Sequence, residues 1–195
     1  MKAVEKASPS VVSVVVSKNL PVIEQCQTNP FGNIPPEFRD FFGGQFGGFS
    51  QSCDSGKTQK QNIGGGSGFI ISADGLILTN KHVVADTAAE YTVVTNSGKK
   101  YDAKVLARDP MQDLAVLKIE ATDLPVVALG NSDTLKLGQT AIAIGNSLGE
   151  FRNTVSVGVI SGLSRTITAT GASIGTEIIS NVIQTYILFG ISRFG

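Results

Sequence analysis

Tryptophan is missing from this chain, histidine occurs once, at position 82, and cysteine and methionine occur twice each. A lone imidazole, with Cys26 and Cys53 both remote from it in sequence, offers no spaced set of nitrogen and sulfur ligands, so neither a metal centre nor another cofactor is expected. An excess of charge of either sign is also missing, because 16 Lys and Arg balance 16 Asp and Glu. Without a basic field nothing draws nucleic acid or anionic lipid to the chain, and neither is expected as a partner. Long apolar runs are lacking too: "VVSVVV" at 11–16 is shorter than the ~20 residues that span a bilayer and the ~7 to 15 of a signal-peptide core. No targeting or membrane-spanning segment is visible. The opening "AVEKASPSVVSVVV" reads as a domain edge, with an export signal expected upstream.

What is present points to strands. Glycine is abundant at 22 residues, and Val, Ile and Leu come in short bursts rather than at helical spacing. Residues 9–17, "PSVVSVVVS", read as a first strand. "GSGFIIS" and "LILT" flank Ala73-Asp74-Gly75, whose Asp-Gly pair predicts a tight hairpin. "EYTVVT" (90–95), the turn Asn96-Ser97-Gly98, "KKYDAKVLA" and "DLAVLKI" (113–119) continue the series. After a linker at "EATDLP" (120–125) come "TAIAIG" (140–145), "NTVSVGVISGL" (153–163) and "TEIISNVIQT" (176–185). Strands at this spacing predict an all-β barrel or sandwich, with one complete half and a second half that runs out.

Residues 18–62 differ in kind, holding four of the seven prolines and six of the ten phenylalanines. They read as a long loop. Aromatic density in a loop suggests docking, for instance onto a neighbouring subunit, whereas a floppy insertion packing on itself is the plainer reading. Cys26 and Cys53 both lie in this stretch, 27 residues apart. A disulfide between them would contribute roughly 3 kcal/mol by chain entropy in an oxidising compartment, and two unpaired thiols are the alternative.

His82 follows the "LILT" run within "TNKHVVAD", flanked by Asn80 and Lys81, at a strand end of the kind that delivers a side chain into a cleft. Asp113 comes 31 residues later, at the start of "DLAVLKI" after the turn "RDPMQD". A serine hydrolase needs an imidazole to take a hydroxyl proton, a carboxylate to fix the ring tautomer and amide donors for the oxyanion. Taken singly, a His at a strand end and an Asp before a strand are more often structural. The glycine cluster "IGGGSGF" (63–69) lacks the Gly-Lys-Ser/Thr ending of a phosphate loop and leads into a strand, so phosphate binding is not expected.

Together, "GSGFIISADGLILTNKHVV", "RDPMQDLAVLKI", "LGNSDTLKLGQTAIAIGNSLG", "NTVSVGVISGLSR" and "NVIQT" resemble, in order, the protease domain of the HtrA/Deg family of trypsin-like serine endopeptidases. The resemblance runs from about residue 3 to 185. It implies two perpendicular β-barrels with the site between them: a first barrel over 1–122, carrying the long loop 18–62, and a partial second barrel over 123–195. It implies His82 as catalytic base and Asp113 as its orienting acid. It also implies misfolded or unfolded proteins as substrates, a homo-oligomer of trimeric form built with the long loop, and an extracytoplasmic location. No counterpart of the family's downstream PDZ module is expected within these 195 residues.

The tail departs from the family pattern. There "IQT" leads through an acidic stretch to Gly-Asn-Ser-Gly-Gly-Pro, whose Ser is the nucleophile; here it leads to "YILFGISRFG". Matching "ILFGISRFG" to that segment puts Ser192 in the nucleophile position, with the amides of Gly190 and Ser192 as the oxyanion hole. Arg193 then stands where the family has a glycine, adding a Cβ and a bulky cation to a strained turn. Gly130-Asn131-Ser132 and Gly145-Asn146-Ser147 repeat the triplet, but neither is followed by Gly-Gly, and both match family turns. The expectation is a serine endopeptidase that is a fragment or a frameshifted product, with the nucleophile either Ser192 or lost. A catalytically silent protease-like domain that binds unfolded chains or a partner is the alternative.

Overall fold

The computed structural model describes residues 2–28, 49–147, 151–171 and 175–187. It divides into two compact units, one of Met1–Ser17 with Asn62–Gly195 and one of Lys18–Gln61. In the first, a short helix α1 (Lys2–Ala7) precedes a closed six-stranded barrel and a three-stranded sheet.

The barrel is built from β1 (Val11–Thr28), β2 (Phe49–Ile70), β3 (Leu76–Thr79), β4 (Glu90–Val94), β5 (Lys100–Arg108) and β6 (Ala115–Ile119), in the spatial order β1-β2-β3-β6-β5-β4. Alternation drives it: Val12, Val14 and Val16 of β1 point inward against Ile77, Val93, Leu117 and Ile119, and most of these side chains are fully buried. Both expected hairpins form. The first needs Gly75 at φ +101, where an added Cβ would strike the carbonyl oxygen of Ile119; the second turns on Gly98 at φ +84.

The second sheet has the order β7 (Thr140–Ser147), β8 (Phe151–Gly171), β9 (Gly175–Ile187). β7 pairs antiparallel with β8 from Thr140↔Val159 onward, and β8 with β9, for example Val159↔Tyr186. The intervening segment is tied to the barrel by Val127, whose amide donates to the Ile70 carbonyl at 3.0 Å. The all-β class expected from the sequence is the one found, with a closed barrel and a second, open sheet.

Two stretches read as loop are strand instead. β1 continues to Thr28 and β2 begins at Phe49, and in the second unit Ser55 Oγ donates to the Val22 carbonyl at 2.7 Å. The two strands are hydrogen-bonded neighbours, so it is backbone pairing, not apolar alternation, that makes these residues strands. The side chains of Cys26 and Cys53, and with them the expected disulfide, lie outside the described residues, as do residues 29–48 with most of the prolines and phenylalanines of that segment.

Candidate active site

β3 and β6 run antiparallel with Thr79 opposite Ala115, so the residues just after β3 and just before β6 emerge at the same end of the barrel. That register brings together two side chains 31 positions apart. After Thr79, whose hydroxyl donates to the Ser67 carbonyl at 2.8 Å, the chain makes a single 3-10 turn over Lys81–Val84. Val84 is buried beneath it, and its carbonyl accepts from Arg108 Nε at 2.8 Å. Arg108 stands at the end of β5, beyond a bulge between Val105 and Ala107. Gly66 of β2 lies against the same turn: a Cβ there would sit 2.5 Å from Val83 Cγ2.

Asp113 is held from the other side by a closed loop. The Asp109 amide donates to the Leu114 carbonyl at 2.8 Å, and Asp109 Oδ1 accepts from the amides of Met111 (2.7 Å) and Gln112 (2.8 Å). Those two amides are the main reason the Asp109 carboxyl is held below its usual value.

His82 Nδ1 lies 2.7 Å from Asp113 Oδ2, and the His82 backbone amide donates to Asp113 Oδ1 at 2.9 Å. Asn80 Nδ2 donates to Asp113 Oδ2 at 3.0 Å and to the Asp113 carbonyl at 3.2 Å. Burial of the Asp113 carboxyl works to raise its pKa, but the His82 amide, the His82 ring with its charge and the Asn80 amide outweigh it and hold the group below the ordinary carboxylate value. An ionised carboxylate only accepts, so the proton of a neutral His82 ring sits on Nδ1 and the lone pair of Nε2 is left open. The imidazole is about half exposed, at 49%, and the carboxylate is mostly covered, at 16%. An imidazole held in this way can act as a base through Nε2. A cavity of about 210 Å³ adjoins it, lined among others by Val11, Ser67, Phe69, Asn80, Leu114 and Ile144.

The structure thus brings His82 and Asp113 together. Ser192 and Gly190 lie outside the described residues. Ser132 opens a 3-10 turn capped by Asn131 Oδ1, which accepts from the Asp133 amide at 2.9 Å, and Ser147 ends β7. The "IGGGSGF" glycines lie within β2. Among the described residues no three His, Cys, Asp or Glu are grouped to hold a metal ion, and no helix is long and apolar enough to cross a membrane. Asn80 and Arg108 were not singled out from the sequence. An amide one position before the turn that carries the sole imidazole was the available signal for Asn80; nothing local marked Arg108.

A family model described as trypsin-like peptidase domain matches residues 66–192. A probable periplasmic serine endoprotease DegP-like of Pseudomonas fluorescens is 42% identical over 167 residues, covering 84% of this chain and 34% of that protein. Its counterpart in Chlamydia trachomatis serovar D is 45% identical over 139 residues, covering 71% and 27%. Among solved structures, the HtrA-type protease AlgW with decapeptide aligns with a TM-score of 0.66 at 30% identity, over 95% of this chain and 50% of that one. Deg5 aligns with a TM-score of 0.61 at 29% identity, over 97% and 73%. The chain spans about a third of the length of the curated relatives it matches. Barrel, second sheet and these likenesses agree: the chain belongs to the family of trypsin-like peptidase domains, as an HtrA-type protease domain.

Proposed function

We propose that this chain is the catalytic domain of a serine endopeptidase that cleaves misfolded or unfolded proteins. Ser192 attacks the peptide carbonyl, His82 Nε2 takes the hydroxyl proton and returns it to the leaving amine, and Asp113 holds the ring. The amides of Gly190 and Ser192 stabilise the oxyanion, and water then hydrolyses the acyl-enzyme. The observation that carries this reading is the 2.7 Å contact between His82 Nδ1 and Asp113 Oδ2, reinforced by the His82 amide on Oδ1. The names of the bacterial relatives support an extracytoplasmic setting, and a homo-oligomer of trimeric form belongs to the same proposal.

The test is cleavage of an unfolded protein by the wild-type chain, His82→Ala and Ser192→Ala. Triad members act as a unit, so either substitution is expected to reduce turnover by a factor on the order of 10⁶. Cleavage that survives both substitutions refutes the assignment. A second reading is favoured by Arg193, which stands where a glycine would let the nucleophile turn form. On that reading the domain binds unfolded chains without cutting them, and wild type and both variants retain substrate equally.

A further inference from the structure

We infer that Asn80 is a positioning residue of this site: its side-chain amide clamps Asp113 at Oδ2 and at the backbone carbonyl, fixing the orientation in which that carboxylate holds the His82 ring. The inference rests on the reading of His82 and Asp113 as a catalytic pair. Both atoms that Asn80 approaches, at 3.0 and 3.2 Å, can only accept, so it is the NH₂ end of the amide that faces them.

A plainer role is open to an asparagine at this position, and the geometry argues against it. Asn80 is the residue that caps the 3-10 turn Lys81–Val84, where Asn side chains commonly bond to the turn's own amides. Here the side chain makes no such bond, and only the backbone carbonyl serves the turn, accepting from the Val83 amide at 3.2 Å. The amide group is directed to Asp113 instead. Three donors then share one carboxylate: the His82 amide on Oδ1, and His82 Nδ1 and Asn80 Nδ2 on Oδ2. The His82 amide alone leaves the carboxylate free to pivot about Oδ1. Asn80 removes that freedom by tying Oδ2 and the main chain of the same residue. Because Asn80 is exposed, deleting its amide opens no cavity, and the fold is expected to survive.

The test uses the full chain labelled with ¹⁵N-histidine and ¹³C-aspartate, the Asp113 carboxyl signal being the one that Asp113→Asn removes. His82 is the only histidine, so the imidazole gives one Nδ1 and one Nε2 signal without assignment. With the ring neutral, the wild type is expected to carry the proton on Nδ1, and Asp113→Asn to shift it to Nε2. Asn80→Ala is expected to mix the two forms and to raise the pH at which the Asp113 carboxyl carbon titrates, with Asn80→Ser, a shorter donor, falling between. In cleavage of an unfolded substrate, Asn80→Ala is expected to lower kcat roughly 10- to 100-fold with KM unchanged, as loss of a bond to a charged, supporting group does. If Asp113→Asn moves the proton while both Asn80 variants leave the ring signals and the Asp113 titration as in wild type, Asn80 does not position the pair. If Asp113→Asn leaves the proton where it was, the pair itself is not formed, and the reading of the site falls with the inference.

Discussion

Three donors converge on the Asp113 carboxylate, and its chemistry follows from their balance against burial. Asp113→Asn keeps the shape but turns an acceptor into a group that can present N–H to the ring, favouring the wrong tautomer. Turnover is expected to fall by about 10⁴, measured as kcat on an unfolded substrate. The same carboxylate links stability to pH. Its pKa in the folded chain lies below the ordinary value of ~3.9 that it regains on unfolding, so the unfolded chain binds the proton more readily. Its contribution is therefore complete above the ordinary value and is lost as pH falls through the folded one. Urea unfolding of wild type and Asp113→Asn tests this: the wild type is expected to be the more stable at about pH 5, by a gap that closes below about pH 4. A gap that persists unchanged into strong acid contradicts the account.

At the scale of elements, the Thr79↔Ala115 register of β3 and β6 and the packing under the Lys81–Val84 turn build the site. Gly66→Ala places a methyl against Val83 and is expected to destabilise by roughly 1–3 kcal/mol as overpacking. Val83→Ala should recover most of that loss, so thermal unfolding of both single variants and the double variant is expected to be strongly non-additive. Additive losses would place the cost elsewhere than at this contact. The hairpin at Ala73-Asp74-Gly75 and the strands around 90–95 and 113–119 were legible in the sequence because turn chemistry and alternation are local properties. Extension of β1 to Thr28 and of β2 back to Phe49 was not, since those residues become strands by pairing, which composition does not encode. His82 and Asp113 stood out by residue type and family resemblance. Asn80 and Arg108 gain their meaning only from partners 33 and 24 positions away.

In the larger unit, the barrel and the second sheet bury their apolar residues unequally. Leu117, Ile119, Ile77 and Val93 are fully enclosed in the barrel, whereas β8 presents Val155, Val157 and Val159 at 39–40% exposure, beside Tyr186 of β9 at 64%. Ser156 and Ile160, one residue out of phase, are buried, so the exposed valines form one continuous face of the sheet. A row of exposed apolar residues favours self-association. Leu117→Ala is therefore expected to cost about 2–5 kcal/mol in unfolding experiments, because it empties the barrel core. Val157→Lys removes no core contact and is expected to leave that stability within about 0.5 kcal/mol. It puts a charge at the middle of the apolar row, so sedimentation of the full chain should show association that strengthens with concentration in wild type and weakens in Val157→Lys. Equal sedimentation of the two would mean that the exposed face of β8 is not where the copies meet. A large stability loss in Val157→Lys would mean that this face is packed in solution.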